Sequence, residues 1–463
     1  MCGIAGILNE SREAAPDLYI ALFAQQHRGK ESARIVTFDG RHFYNRGGMG
    51  EIPALFRGET LKEIPGTTGI AHNRYSTTSS SDPDNIQPIR EVWRGEEFWL
   101  AHNGNLINTS EIRKECFKKG KQPATSSDTG AIATLISLSR APSFEEAVKE
   151  TVSKLKGAFS IVILKGDELV VLRDNRGFRP LHIGKKGNDW LVASETCVFS
   201  HLKATPLRDI DPGEILIIKK SGIEEYYHPP VGKCSHCIFE YIYFERPDSI
   251  EKGRRITEVR RNMGRLLAKE CPVSGGLPIP IPDSGLYGGL GFIQESNLEN
   301  NGRGLFRPHS FSRTFIEPVQ ALRDRGIQLK FVILKEEVKG KVIILIDDST
   351  VRGNTQKKLI KEFRDAEAAT IYVRIHSPPY LFPCYYGIDT YRVKDELLAV
   401  RCNGSIEKMR QEIGADSLGH LSIKSVMMAI IQTPGEPLKE EDFCTACFTG
   451  NYPIEIPAEV LNS

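Results

Sequence analysis

Cys2 is a candidate nucleophile because it directly follows the initiator methionine. Removal of Met1, which the small residue after it favours, would place a thiol and a free α-amino group on one residue. The amine has a pKa of roughly 8 and the thiol one of roughly 8.5, so near neutral pH the amine can accept the thiol proton. Cys2 would then carry its own general base. The alternative is a buried strand over residues 2–7 that happens to contain a cysteine.

Polar motifs with matching chemistry follow Cys2. In order they are Gln26-His27-Arg28-Gly29, His72-Asn73-Arg74-Tyr75-Ser76-Thr77, Ala101-His102-Asn103-Gly104-Asn105 and Ser127-Asp128-Thr129. With Cys2 and in this order, they resemble the glutaminase domain of N-terminal-nucleophile amidotransferases. Hydrolysis of a glutamine side-chain amide requires a thiolate, donors to the oxyanion, and groups that bind the α-carboxylate and α-ammonium. Two more segments fit the family pattern as scaffold: Arg179-Pro180-Leu181 and Ala193-Ser194-Glu195-Thr196.

The resemblance assigns a role to each motif. It implies that the Asn103 side-chain amide and the Gly104 backbone N–H bind the oxyanion. Arg74 would pair with the substrate carboxylate and Asp128 with its ammonium group. The same resemblance places the remaining pocket residues around glutamine: Arg28, Gly29, Tyr75 and Ser76. The structural alternatives are a surface ion pair for Arg74, a hairpin turn for Asn103-Gly104 and a helix cap for Asp128.

A second strong signal lies in residues 341–355, which begin with branched apolar residues typical of a buried parallel strand. The run ends in Asp347-Asp348, a short loop rich in hydroxyl groups and glycine, and a segment of helical periodicity. Ligands of open α/β sheets bind at the carboxyl ends of strands, and a helix N-terminus can hold a phosphate. The alternatives are a receiver-type metal site and an ordinary polar loop.

This second segment resembles the phosphoribosyl pyrophosphate (PRPP) motif of type I phosphoribosyltransferases. The resemblance implies that Asp347 and Asp348 bind the ribose hydroxyls and support Mg²⁺. The 5-phosphate would be bound by the loop and the start of the helix: Ser349, Val351, Arg352, Gly353, Asn354 and Thr355. Asn354 stands where the family commonly has threonine, which removes a hydroxyl but keeps an amide donor.

Two further segments belong to the same site by this resemblance. Ser284, in Pro282-Asp283-Ser284-Gly285, is the candidate for the protein-side contact to Mg²⁺. Arg313 lies in a loop that is expected to close over PRPP and exclude water. Arg307 is a weak candidate contact for purine-nucleotide inhibitors, because residues 306–311 depart from the family's basic pattern.

Both halves together resemble the glutamine PRPP amidotransferase family over nearly the whole chain. The family implies that glutamine is hydrolysed at Cys2 and that ammonia displaces pyrophosphate from PRPP, which gives 5-phosphoribosylamine, the first committed step of purine synthesis. Two other functions stay open: an amidotransferase with another phosphosugar acceptor, and a non-catalytic sensor of PRPP or glutamine. The retained Cys2, Arg74, Asn103 and Asp128 argue against the sensor, since sensing PRPP does not need them.

Ten cysteines carry a further signal. Two Cys-x-x-Cys pairs, Cys234/Cys237 and Cys444/Cys447, suggest a four-thiolate zinc site, although their long separation argues against a self-contained zinc module. The family resemblance implies a different set, four thiolates that hold a [4Fe–4S] cluster: Cys237, Cys384, Cys444 and Cys447. Ordinary buried thiols are the third possibility. Members of that subfamily often carry a short propeptide before the nucleophile, whereas only Met1 precedes Cys2 in this sequence. We therefore expect that removal of Met1 alone activates this chain.

Composition adds few constraints. The 61 basic and 59 acidic residues give a formal charge of +2, which offers no broad electrostatic case for nucleic acid or an anionic membrane. No signal-peptide pattern and no apolar run of about 18 residues is present, so we expect a cytoplasmic protein. Relatives are commonly tetramers, and the resemblance therefore implies a homotetramer.

The elements that must position these residues fall into two groups. Apolar runs at 157–164, 168–173 and 214–218 predict strands of mostly antiparallel sheets, with helices around 128–138 and 144–155 that cover them. Together with the family resemblance, these elements predict an α+β N-terminal-nucleophile domain over 1–232. A phosphoribosyltransferase domain with a parallel sheet and a cysteine-bearing C-terminal segment would follow over 233–463.

Overall fold

A computed structural model describes residues 1–75, 82–123, 125–229, 232–299, 304–308 and 331–461. In its first half the strands are, in chain order, β1 (Gly3–Leu8), β2 (Ser32–Phe38), β3 (Phe43–Met49), β4 (Thr68–Arg74), β5 (Ile89–Trp93), β6 (Glu96–Leu106), β7 (Gly157–Lys165), β8 (Glu168–Arg173), β9 (His182–Lys186), β10 (Asp189–Ala193), β11 (Thr205–Asp209), β12 (Ile215–Lys219) and β13 (Gly222–Tyr227). The helices of this half are α1 (Ala14–Ala24), α2 (Ile52–Leu55), α3 (Gly58–Lys62), α4 (Thr109–Lys118), α5 (Asp128–Ser137), α6 (Phe144–Val152) and α7 (Cys197–Leu202), with 3₁₀ turns at Gln26–Arg28 and Pro83–Asn85.

These strands form two antiparallel sheets that pack face to face. The first has the order β11-β9-β10-β1-β4-β2-β3 and the second β13-β12-β8-β7-β6-β5. One apolar cluster, which includes Ile4, Ile70, Val162 and Leu169, fills the space between them. Helices α1 and α7 cover the outer face of the first sheet, and α5 and α6 cover that of the second. The predicted strands and helices of this half are confirmed, and β1 is central because both its faces are apolar.

The second half contains a parallel sheet. Its strands are β14 (His236–Cys237), β15 (Ile250–Glu251), β16 (Arg254–Arg255), β17 (Leu277–Pro280), β18 (Leu305–Phe306), β19 (Val332–Ile333), β20 (Val342–Asp347), β21 (Thr370–Ile375), β22 (Ser417–His420) and β23 (Phe443–Cys444). Its α-helices are α8 (Ile256–Glu270), α9 (Leu286–Glu295), α10 (Lys335–Val338), α11 (Asn354–Asp365), α12 (Leu398–Arg401), α13 (Ile406–Ile413), α14 (Ile423–Gln432), α15 (Ala446–Thr449) and α16 (Ala458–Leu461). A π-helical turn spans Glu240–Phe244, and 3₁₀ turns span Tyr391–Glu396 and Glu440–Asp442.

The four central strands are all parallel, in the order β17-β20-β21-β22. Alternate residues of β20 point to opposite faces, so Ile344 and Ile346 join one core with α8 and α14 while Ile343 and Leu345 join the other with α11. This doubly covered sheet confirms the parallel strand predicted for residues 341–346. The predicted domain boundary near residue 232 stays a prediction, and residues 230–231 there lie outside the described part of the chain.

Candidate active sites

Cys2 lies directly before β1 and is almost completely buried. Its backbone nitrogen donates a hydrogen bond to Asn103 Oδ1 at 3.2 Å. Its Sγ accepts from the backbone N–H of Tyr75 at 3.5 Å, just beyond the end of β4. Cys2 is therefore held between the two sheets, by its backbone nitrogen at β6 and by its thiol next to the end of β4.

Asn103 and Gly104 lie inside β6, opposite Ser160 and Phe159 of β7, so the hairpin-turn alternative is wrong. The Asn103 side chain is fully buried, and its Nδ2 has no hydrogen-bond partner in the described residues. Gly104 has a φ of +154°, and a Cβ there would lie 2.0 Å from the carbonyl oxygen of Ala158, which excludes any larger residue. A buried amide donor beside a thiol is what an oxyanion requires.

Asp128 is the first residue of α5. Ser127, whose Oγ accepts from the backbone of Gly130 at 3.1 Å, caps this helix, so the cap alternative for Asp128 is wrong. The Asp128 carboxylate accepts hydrogen bonds from the backbone N–H groups of Leu106 and Thr129. Burial raises the pKa of Asp128, but the His102 imidazole and these donors outweigh burial and leave the pKa below its usual value. Asp128 is therefore ionised at neutral pH and suited to bind an ammonium group.

Arg74 is the last residue of β4 and only 4% exposed, so its ion pair is not a surface one. Its Nη1 donates to Glu31 Oε1 at 3.1 Å. Gly29 packs against this residue so closely that a Cβ would lie 2.4 Å from the Arg74 carbonyl carbon. The Tyr75 residue is 41% exposed, whereas Ser76 lies outside the described residues.

The structure places Arg28 next to Cys2. Its side chain is fully buried, and its role in the glutamine pocket stays a prediction. Its Nε donates to the carbonyl oxygen of Cys2 at 3.0 Å, while Nη1 pairs with Glu195 and Nη2 with Glu240. All three nitrogens of Arg28 thus have protein partners, two of them on carboxylates distant in sequence.

The second site lies where β20 ends. Asp347 and Asp348 are adjacent and buried, and Gln356 Nε2 donates to Asp347 Oδ2 at 2.8 Å. Ser349 Oγ donates to Asp348 Oδ2 at 2.5 Å. Burial, together with the charge of Asp348, raises the pKa of Asp347 well above its usual value. Two adjacent buried carboxyl groups, one of which raises the pKa of the other in this way, attract a cation or a hydroxyl donor.

The loop after this pair leads directly into α11. Gly353 has a φ of +77°, in the left-handed region that favours glycine, and Asn354 is the first helical residue. The loop is fixed by a hydrogen bond from the Leu398 N–H to the Val351 carbonyl oxygen at 2.9 Å. Arg352 pairs with Glu396 at 3.2 Å. Thr355 lies in the first turn of α11, where backbone N–H groups lack partners within the helix, and such groups can bind a phosphate.

The segment with Ser284 belongs to the same edge of the parallel sheet. The Ile281 N–H donates to the Ile346 carbonyl oxygen at 2.8 Å, which joins the ends of β17 and β20. Ser284 is half-buried, and the neighbouring Asp283 is exposed and pairs with Arg307. Arg313, the residue predicted to lie over PRPP, falls outside the described residues.

Four cysteines predicted as cluster ligands line one cavity, together with Phe178, Arg179, Tyr386, Ile388 and Ala446. The cysteines come from three parts of the chain, and the parallel pairing of β14 with β23 sets Cys237 opposite Cys444. The Tyr386 N–H donates to Cys384 Sγ at 3.4 Å. Burial raises the pKa of Cys237 to about 11 and that of Cys447 well above its usual value. Cys234 is outside this group and half-buried.

Comparison with known proteins decides the family. A model described as a glutamine amidotransferase domain matches residues 72–201. An amidophosphoribosyltransferase from Methanothermobacter thermautotrophicus is 39% identical over 99% of this chain and 96% of its own. One from Bacillus subtilis is 38% identical over 98% of this chain and 94% of its own. The chain belongs to the amidophosphoribosyltransferase family.

Solved structures agree with this assignment to the amidophosphoribosyltransferase family. One, described as the allosteric regulatory enzyme of purine biosynthesis, has a TM-score of 0.90 at 37% identity, covering 99% of this chain and 97% of its own. Another is the glutamine PRPP amidotransferase of Bacillus subtilis in complex with ADP and GMP, with a TM-score of 0.89 at 37% identity and coverage of 99% and 98%. These matches confirm the predicted family and its two-part fold.

Sequence reasoning missed several residues that contact the groups around Cys2 and Asp347. Glu195 and Arg179 were predicted only as scaffold, and neither Glu240 nor Gln356 was given a role. The Glu195–Arg28 contact spans 167 residues and the Glu240–Arg28 contact 212, so no local pattern marks them.

None of the helices in the described part of the chain has the length and apolar character that a membrane span requires.

Proposed function

We propose that this chain is a glutamine-dependent amidophosphoribosyltransferase that converts PRPP, glutamine and water to 5-phosphoribosylamine, glutamate and pyrophosphate. This reaction commits PRPP to purine synthesis. The observation that carries the proposal is the presence on one chain of a thiol beside a buried unpaired amide donor, Cys2 and Asn103, and of the acid pair at the end of β20. Neither half alone specifies the reaction, because each type of site serves other enzymes.

In the first half-reaction, Cys2 Sγ attacks the amide carbon of glutamine. The Asn103 Nδ2 and the Gly104 N–H stabilise the oxyanion, and the substrate is oriented by Asp128 at its ammonium group and Arg74 at its carboxylate. The α-amine exposed by Met1 removal relays the thiol proton to the leaving ammonia, and water then hydrolyses the thioester to glutamate. Burial lowers the pKa of the Met1 amine to about 5, which indicates that this end of β1 disfavours an ammonium group.

In the second half-reaction, ammonia attacks C1 of PRPP and pyrophosphate leaves. Asp347 and Asp348 hold the ribose hydroxyls, while the loop from Ser349 to Gly353 and the start of α11 hold the 5-phosphate. The buried acid pair fits a hard cation, and Mg²⁺ would supply charge neutralisation on pyrophosphate, with Ser284 as a further contact. In this proposal these groups hold PRPP for attack by ammonia at C1.

Ammonia must pass between the two halves before it becomes bulk ammonium. The halves are in direct contact near the glutaminase site, since Asn105 Nδ2 donates to the Tyr385 carbonyl oxygen at 2.8 Å. Asn105 is two residues from Asn103 on β6. We propose that PRPP binding therefore raises glutamine hydrolysis through contacts of this kind.

We also propose that the four cysteines hold a [4Fe–4S] cluster. Thiolates that share one tetrahedral zinc ion lie about 3.8 Å from one another, whereas each cluster thiolate binds a different iron and stands farther away. Among the described residues, no group of three or more ligand atoms that all lie within 4.8 Å of one another includes these cysteines. This spacing favours the cluster, and iron, sulfide and zinc analysis of anaerobically purified protein tests it. One equivalent of zinc without sulfide would contradict it.

The product assay tests the proposed reaction. Processed protein with Mg²⁺, PRPP and ¹⁵N-amide glutamine should release pyrophosphate and form ¹⁵N-labelled phosphoribosylamine, in amounts equal to the glutamate formed. Glutamate without pyrophosphate, but with amination of another phosphosugar, would favour the alternative acceptor. Binding of PRPP without either product would favour the sensor.

Finer features rest on the family alone. We propose inhibition by purine nucleotides, because the Bacillus subtilis structure was determined with ADP and GMP. A homotetramer and a cytoplasmic location stay predictions. Inhibition of phosphoribosylamine formation by GMP and ADP, together with the solution mass, tests the first two.

A further inference from the structure

An unbroken series of hydrogen bonds joins the glutaminase nucleophile to the cysteine-lined cavity. It begins at the Cys2 carbonyl oxygen, which accepts from Arg28 Nε at 3.0 Å. Arg28 Nη2 then donates to both carboxylate oxygens of Glu240 at 3.1 Å. Glu240 follows Cys237 by three residues, so its backbone position depends on the segment that lines the cavity.

Arg179 completes the connection from the other side. Its Nη1 donates to Glu240 Oε1 at 3.3 Å, and its Nε and Nη2 donate to the Tyr386 carbonyl oxygen. The N–H of Tyr386 in turn donates to Cys384 Sγ at 3.4 Å. Gly387 permits this approach, because its φ is +120° and a Cβ there would lie 2.9 Å from Arg179 Nη2.

These groups are charged and excluded from solvent. The side chains of Arg28, Arg179 and Glu240 are at most 3% exposed. Glu195 adds a second buried carboxylate on Arg28, so two cations meet two anions. Removal of one partner from such a set leaves an uncompensated buried charge, which forces its neighbours to move. A displacement of Arg179 at the cavity is therefore transmitted to Arg28 and the Cys2 carbonyl.

We infer that Glu240 is a positioning residue that couples the cysteine cavity to Cys2, through Arg179 on one side and Arg28 on the other. The cavity's occupant would thus hold the glutaminase nucleophile in its reactive place. Loss of that occupant slows attack by Cys2 even while the phosphoribosyl site remains folded. The inference rests on the proposed glutaminase role of Cys2, but it does not depend on which metal group fills the cavity.

The test measures Cys2 reactivity directly. Full-length processed protein is alkylated with 6-diazo-5-oxonorleucine, a glutamine mimic, in the wild type, Glu240→Gln, Cys384→Ser and the double variant. Ammonia-dependent transfer to PRPP monitors folding of the second half. Glu214→Gln is the matched control. Glu214 is also a fully buried carboxylate paired with an arginine, Arg208, but its side chain contacts none of Arg28, Arg179 and Glu240 in the described part of the chain.

We expect Glu240→Gln and Cys384→Ser each to lower the alkylation rate about tenfold or more, since small displacements of a nucleophile are costly. The double variant should be no slower than the single ones, because both act through the same series. Ammonia-dependent transfer should persist, and Glu214→Gln should be alkylated at the wild-type rate.

Two results would overturn the inference. One is alkylation of Glu240→Gln at the wild-type rate, which stays informative even if Cys384→Ser fails to fold. The other is a double variant whose loss is the product of the single losses. Iron and sulfide content is measured on the same samples, so a missing cluster would contradict that part of the proposed function without deciding the coupling. Absence of any alkylation in the wild type would contradict the glutaminase role of Cys2 itself.

Discussion

The two sites differ in how far the protein has prepared them. Around Cys2, the nucleophile, Asn103 and Asp128 are buried and held by hydrogen bonds to the surrounding strands. At the end of β20, Asp347 has a raised pKa, and Asp283, beyond the end of the neighbouring β17, is exposed. With the proposed roles, the glutamine site has donors that the protein already holds in place, whereas the PRPP site leaves charge to be completed by the ligand and its cation.

Replacement of the nucleophile should separate the two sites most completely. We expect Cys2→Ala to lower glutamine-dependent formation of phosphoribosylamine by about 10⁴-fold or more, because no other thiol can form the thioester. Ammonia-dependent formation should persist. Parallel assays with glutamine and with ammonium chloride check this, and equal losses in both would show that the sites are not separable.

Removal of the oxyanion donor should have the next largest effect. Asn103→Ala deletes the unpartnered Nδ2 and should lower kcat for glutamine hydrolysis by about 10² to 10³-fold, with a smaller change in KM. Steady-state glutamate release measures both constants. A change confined to KM would instead place Asn103 in substrate binding.

A change in the acid pair at the end of β20 should do the opposite: it should impair PRPP transfer and spare glutamine hydrolysis. Asp348→Asn should lower PRPP transfer by about 10²-fold with either glutamine or ammonia, because the ribose and its cation lose a charged ligand. Glutamine hydrolysis measured without PRPP should be unchanged. A loss of that basal hydrolysis would mean that the second site is as necessary to Cys2 as its own neighbours.

The smallest expected effect concerns stability and comes from a buried histidine away from both sites. His182 Nδ1 contacts Asp209 at 2.7 Å and its Nε2 lies 3.2 Å from Glu251, with Lys252 also on Asp209 at 3.0 Å. Burial alone lowers the pKa of His182, but the two carboxylates outweigh burial and raise it to about 9. The stability gained is present below the unfolded value of 6.5 and is lost as pH rises through 9.

We therefore expect the free energy of unfolding to fall by up to about 3 kcal/mol between pH 6.5 and 9.5. Urea denaturation across this range measures the change. His182→Asn should remove most of the slope, whereas the exposed His201→Asn should retain it. An unchanged slope in His182→Asn would assign the pH dependence to other groups.

Sequence reasoning succeeded where chemistry and local structure coincide. The branched strand, acid pair and glycine-bearing loop of residues 342–353 are contiguous, so their geometry follows from the local pattern. Gln356 escaped notice because a glutamine one turn into a helix has many ordinary roles. Asn103 illustrates an intermediate case, since its motif indicated a role but a hairpin turn was equally compatible with its local residues.

The surroundings of Arg28 show why the rest could not be predicted. Arg28 belongs to the family's motif, and the resemblance implied a place in the glutamine pocket. Its actual position depends on Glu195 and Glu240, carboxylates contributed by two other regions of the chain. Long-range ion pairs of this kind arise only when the sheets and the second half have packed together, and single-sequence patterns contain no information about them.

The most direct test of the central claim, that two coupled sites make phosphoribosylamine, is glutamate release with and without PRPP. Anaerobically purified, Met1-processed protein with Mg²⁺ should hydrolyse glutamine slowly alone and much faster with PRPP. Asp348→Asn should lose the stimulation while it keeps the slow rate. Hydrolysis at one rate in all these conditions would contradict the account, because Cys2 would then act independently of the phosphoribosyl site.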